Sequence, residues 1–217
     1  MNLLPKNSAR YVLPFLVFLL LTELQRFGTP QSIFWIYGFK IAVTTAVLLF
    51  LFRGRGAEIS GRFDPAAAGL GLIVLAIWIV LGNSIPAERG VSFDPGVFAN
   101  VPVKAFAVGL RILGAAVLVP VIEELFWRSF LMRAFVNQED FLSVPLGAYT
   151  RLSFWGTVAA FMLVHRSWEW PATFLTGALY GGYLLKTKNL KGCILAHAVT
   201  NFGLAVYVLL THRWYFW

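Results

Sequence analysis

Residues 66–82 read AAAGLGLIVLAIWIVLG, a run with no charged side chain. Such a stretch reads as a membrane-crossing helix, because a hydrocarbon core about 30 Å thick is spanned by about 20 mostly apolar residues. Similar runs lie near 10–26, 33–52, 103–121, 149–165, 171–185 and 190–210. The stretch around 120–136 either continues the fourth run or forms an eighth segment after Pro120. Proline cannot donate within a helix, so a kink or restart is expected there. The fold class expected is all-α, a polytopic transmembrane helical bundle of about seven to eight spans.

Composition points the same way. Of 217 residues 59% are hydrophobic and only 13% charged, too few charges to clothe a soluble domain. The net charge of +8 does not indicate nucleic acid, because the basic residues are scattered between apolar runs. They read instead as loops facing anionic lipid. With the N-terminus inside, Lys6, Arg10, Arg53, Arg55, Arg62, Arg133, Arg151, Lys186, Lys188 and Lys191 fall on the inner side. Arg26, Arg89, Lys104, Arg166 and Arg213 fall outside, a bias that favours a cytoplasmic N-terminus. Lys6 and Arg10 followed by Tyr11–Leu21 imitate a signal peptide, but Thr22, Glu23, Leu24, Gln25 and Arg26 offer no small-residue cleavage site, so an uncleaved first span is expected. The aromatic tail THRWYFW (211–217) suits an interfacial belt.

Against this background Pro120–Phe130, PVIEELFWRSF, is anomalous. Each ionisable residue at mid-membrane costs about 2.5–3.5 kcal/mol on insertion scales. Glu124 and Arg128 stand four apart, share a helix face and can neutralise each other. Glu123 is turned about 100° away and needs another partner. FMLVH (161–165) and HAVTN (197–201) supply His165, His197 and Asn201 on two other apolar runs. Singly, each histidine is a structural hydrogen-bonding residue and Asn201 an interhelical one. Together with the glutamates and Arg128, they are expected to converge on a bundle interior or wet cavity.

HExxH and GxSxG are both absent. A carboxylate with a histidine can activate water as general base, while a histidine and an asparagine amide can donate to a tetrahedral oxyanion. That set fits amide hydrolysis by water with no covalent intermediate, no metal and no cofactor. Two other readings stay open. One is a non-catalytic membrane scaffold or chaperone partner, in which the polar residues are a structural network. The other is a zinc-dependent intramembrane metallopeptidase with Glu123, His165 and His197 as ligands.

The three motifs, Glu123-Glu124-x-x-x-Arg128, Phe161-x-x-x-His165 and His197-x-x-x-Asn201, resemble in order those of the CPBP family. That family comprises the type II CAAX-prenyl proteases, Abi-like glutamic endopeptidases and bacterial relatives including bacteriocin-immunity proteins. GALYGGYLLKTKNLKGCILAHAVTN (177–201) is similar to the stretch joining the family's second and third motifs. The resemblance covers about 103–210. It implies N-terminal transmembrane helices and a loop over 1–102, and a catalytic transmembrane core over 103–217. It further implies an intramembrane glutamic endopeptidase with Glu123 as general base, His165 holding the water, His197 and Asn201 as oxyanion hole, and Glu124 with Arg128 as a supporting pair. Its substrate would be a membrane-associated peptide or protein, and its place the bacterial inner membrane. The compact size, the tryptophan-rich ends and HRSWEW (165–170) are similar to the subgroup beside bacterial exosortase systems, implying an exosortase-system partner.

The remaining conspicuous residues have packing explanations. Cys193, the sole cysteine, excludes an intramolecular disulfide and reads as a small apolar filler. Gly177, Gly181 and Gly182 suit close helix approach, Lys40 suits snorkelling, and Arg111 a buried or interfacial pairing.

Overall fold

A computed structural model describes residues 7–53, 59, 62–85 and 93–217, and among these there is no strand. Lys6, Arg55 and Arg89, three of the charges used to orient the chain, lie outside the described residues, as does most of the polar connection before residue 93. Among the described residues seven helices carry the fold: α1 (Ala9–Gln25), α2 (Ser32–Phe52), α3 (Pro65–Ser84), α4 (Val101–Ala134), α5 (Arg151–Leu163), α6 (Trp170–Thr187) and α7 (Leu190–Thr211). Of these, α2, α3, α4 and α7 are long and apolar enough to cross a membrane.

The helix starts are written in side chains. Asp64, Asn100 and Asn189 each accept from a backbone N–H in the first turn of α3, α4 and α7, and Thr150 and Ser153 cap α5 reciprocally. Lys188 ends α6 in the left-handed conformation and Asn189 immediately starts α7, so the two run antiparallel with almost no loop.

The fourth run does not break at Pro120. It continues as one 34-residue helix, about 50 Å long at 1.5 Å per residue. The strain of the proline is taken up by π winding: Gly114–Leu118 and Leu125–Leu131 are π-helical, on either side of an α-helical Val119–Glu124.

Helix α4 is the central element, touching α1, α2, α5 and α7. Tyr37, Ile41, Leu118 and Ile122 are buried between α2 and α4. An edge-to-face series, Phe15–Trp127 at 5.1 Å and Trp127–Phe161 at 5.6 Å, ties α1 through α4 to α5. On the other side Ala67 and Val74 of α3 pack against Tyr180 of α6 and Ala196 of α7. A Cβ at Gly71 would collide with the Ala196 carbonyl, so glycine sets the close approach of α3 to α7.

One expectation changes. Lys40 does not snorkel: its side chain is 2% exposed, held between α1 and α2 by Gln25 Oε1 and by Thr22 Oγ1 at 3.1 Å, with its charge over the rings of Phe18 and Tyr37. Acceptors within the bundle make a route to the interface unnecessary. The aromatic tail folds back onto the protein, with Phe216 over Gly82 and Trp217 against Phe93 and Arg111. Cys193 is fully buried and fills space beside the Tyr180 carbonyl, as expected.

Candidate active site

The first and third motifs meet inside the bundle. Glu124 is fully buried on α4, one turn before the equally buried Arg128. Arg128 Nε lies 3.2 Å from Glu124 Oε2, the i,i+4 pair expected from the sequence. The other oxygen, Oε1, lies 2.9 Å from Nδ1 of His197 on α7. A single carboxylate therefore joins the guanidinium of its own helix to the imidazole of another. With Nδ1–H donating to this acceptor, the lone pair of a neutral His197 ring is on Nε2.

Arg128 lies against two aromatic rings. Its guanidinium carbon lies 4.9 Å from the Phe161 ring and 5.7 Å from that of Tyr180. Its terminal nitrogens are buried and have no hydrogen-bond partner among the described residues, so Glu124 and the two π faces carry the compensation of its charge. Tyr180 also stands 5.8 Å from the His197 ring, and its hydroxyl donates to Thr200, whose own hydroxyl donates to the Gly71 carbonyl. This series locks α3, α6 and α7 around the ion pair. Tyr180 and Thr200 were not singled out from the sequence, where each is one more hydroxyl on a small-residue helix.

The second motif closes the site from α5. At 13 residues, about 20 Å, α5 is shorter than the hydrocarbon core, so His165 at its end is not carried a full membrane width away. His165 Nδ1 lies 2.7 Å from the Phe161 carbonyl. A carbonyl only accepts, so Nδ1 carries the hydrogen and the neutral ring keeps its lone pair on Nε2. Trp170 donates its indole N–H to the His165 carbonyl, and the rings of Phe161 and Trp78 flank the imidazole.

Glu123 and Asn201 complete the set. The Glu123 side chain is half-buried and has no hydrogen-bond or ion-pair partner among the described residues. No direct hydrogen bond joins it to His165, His197 or Asn201. Asn201, one turn beyond His197, donates Nδ2–H to the backbone carbonyl of Ala115 on α4 at 2.8 Å. The structure thus brings Glu124, Arg128 and His197 into direct contact, with His165 reached through Phe161 and Asn201 through the α4 backbone. Among the described residues no three His, Cys, Asp or Glu side chains form a group able to hold a metal ion.

The family model for the type II CAAX prenyl endopeptidase Rce1-like family matches residues 105–203. This stretch is similar to the CAAX protease family. Glu123, Glu124, Arg128, His165, His197 and Asn201 all fall within the matched stretch, which runs from the first turns of α4 to just past the middle of α7. Neither the curated proteins nor the solved structures contain a match to the chain. With this match and helices of membrane-crossing length, it is an integral membrane protein, and the match supports an intramembrane protease function.

Proposed function

We propose that this protein is an intramembrane glutamic endopeptidase that hydrolyses a membrane-associated peptide or protein with an activated water. The observation carrying this reading is the unequal treatment of two adjacent carboxylates. Glu124 is consumed by Arg128 and His197, whereas Glu123 is half-buried and unpartnered among the described residues. A structural ion-pair network has no use for a second, unpaired carboxylate; a general base does.

In this reaction Glu123 takes a proton from water, and His165 Nε2 accepts the other hydrogen and orients the oxygen toward the scissile carbonyl. The tetrahedral oxyanion is met by Asn201 Nδ2–H and by His197 acting as an imidazolium throughout, whose Nε2–H donates to the oxyanion and keeps its proton. Glu124 accepts from Nδ1–H and compensates the charge of that imidazolium, while Arg128 anchors Glu124. The proton on Glu123 then passes to the leaving amine. Residues 103–217 form the catalytic core in this reading, and 1–102 supply the N-terminal helices. The positive-inside bias supports a cytoplasmic N-terminus in a bacterial inner membrane, and the likeness of HRSWEW and the compact size to exosortase-linked relatives supports a partner from such a system. Prenylation of the substrate is not required by any of these contacts.

Comparative proteomics of membranes from cells carrying the wild type or Glu123→Gln tests the proposal. A peptide that is cleaved in the wild type and accumulates uncleaved with Glu123→Gln is expected, with the same peptide accumulating for His165→Ala. Identical membrane peptides in wild type and Glu123→Gln would reject the assignment.

A further inference from the structure

The hydrogen bonds around the proline of α4 can be counted one at a time. In the π-helical turn Gly114–Leu118, the Val119 N–H reaches back five residues to the Gly114 carbonyl. The next bond in that register would run from residue 120 to the carbonyl of Ala115. Residue 120 is proline and has no N–H. The α-register donor for the same carbonyl, Val119, is already committed. Ala115 therefore lacks a donor from its own helix, and an unsatisfied buried carbonyl is costly, most of all where no water competes. Asn201 Nδ2 stands 2.8 Å from that carbonyl. Since the carbonyl only accepts, the nitrogen end of the amide is the end that faces it.

We propose that Asn201 is a positioning residue for the glutamate pair: its side-chain amide replaces the hydrogen bond that Pro120 cannot make, and so fixes the rotation at which Glu123 and Glu124 leave the π turn. The consequence for the site is geometric. Glu123 follows Pro120 by three residues, and a shift of the helix by one residue turns the pair by about 100°. Asn201–Ala115 and His197–Glu124 are then two rungs between the same antiparallel pair, α4 and α7, one above and one below the proline. The second hydrogen on Nδ2 stays available, so the positioning role and oxyanion donation coexist in one side chain. The relevance to catalysis rests on the peptidase reading; the hydrogen-bond replacement does not.

The test is a thermal-unfolding cycle in detergent with the wild type, Asn201→Ala, Pro120→Ala and the double variant, each also carrying a 13C-carbonyl label at Ala115. Asn201→Ala is expected to lower Tm by about 2–4 °C. With Pro120→Ala in place that loss shrinks by at least half, because the new N–H at residue 120 serves the Ala115 carbonyl. The Ala115 resonance moves in Asn201→Ala and returns toward its original position in the double variant. Asn201→Leu, which keeps the volume and removes the donor, runs the same cycle where the smaller residue impairs folding. An equal Tm loss in both backgrounds, or an Ala115 resonance indifferent to the loss of Asn201, overturns the proposal. Peptide cleavage by the same proteins separates the two readings. The double variant regains stability but not cleavage when both hold, and a wild type that cleaves nothing counts against the peptidase while the stability coupling still stands.

Discussion

His197 gives its Nδ1–H to Glu124, across 2.9 Å and between residues 73 apart in the chain, and Glu124 is at the same time the counter-charge of Arg128. The second glutamate of the pair is thus held by two partners, whereas the first has none among the described residues.

Glu124→Gln leaves the fully buried Arg128 without its counter-charge. Breaking one partner of a buried pair costs about 3–5 kcal/mol, and the detergent Tm is expected to fall accordingly. Glu123→Gln removes a carboxylate with no partner among the described residues and is expected to leave Tm within error of the wild type. Equal shifts for the two variants would contradict this division of roles.

Gly71→Ala is expected to destabilise by about 1–3 kcal/mol through overpacking against the Ala196 carbonyl, although alanine is the better helix former. Gly69→Ala, two residues earlier with open space around it, is expected to stabilise by about 0.5–1 kcal/mol. Chemical or thermal unfolding of both variants checks the pair, and the opposite order would contradict the close α3–α7 approach.

The tautomer of His165 is directly measurable. Nitrogen-15 spectroscopy of the neutral ring is expected to place the hydrogen on Nδ1, where the Phe161 carbonyl accepts it, and the lone pair on Nε2. A lone pair on Nδ1 would leave the ring unable to accept from water in the manner assigned to it.

Gln25→Leu removes an acceptor from the buried Lys40 ammonium and is expected to cost about 1–3 kcal/mol. Lys40→Met, which removes the charge and keeps the length, is expected to cost less, since an uncharged side chain needs no acceptor there. Unfolding of the two single variants decides it; a larger loss for Lys40→Met would mean that the ammonium itself holds α1 to α2.

What was legible in the sequence was local. Apolar runs placed the helices, and spacing of four paired Glu124 with Arg128, because both depend only on neighbours along one helix. Which partner His197 would take was not legible. Glu123 and Glu124 are adjacent in sequence, and only the rotation of α4 against α7 decides between them. That rotation depends on π winding around Pro120, which the sequence signalled as a kink or restart. Lys40 was misread for a related reason: Thr22 and Gln25 are unremarkable at the end of α1 until the α1–α2 pair folds their side chains toward the ammonium. That Phe216 of the aromatic tail lies over Gly82 of α3 was likewise not legible, because it depends on how the tail folds back rather than on composition.

The most direct test of Glu123 as the base is the initial rate of peptide cleavage by purified Glu123→Gln beside the wild type, with Tm measured on the same samples. A fall of about 10²–10⁴-fold with an unchanged Tm is the expected result. Cleavage at the wild-type rate by a folded Glu123→Gln protein would contradict it.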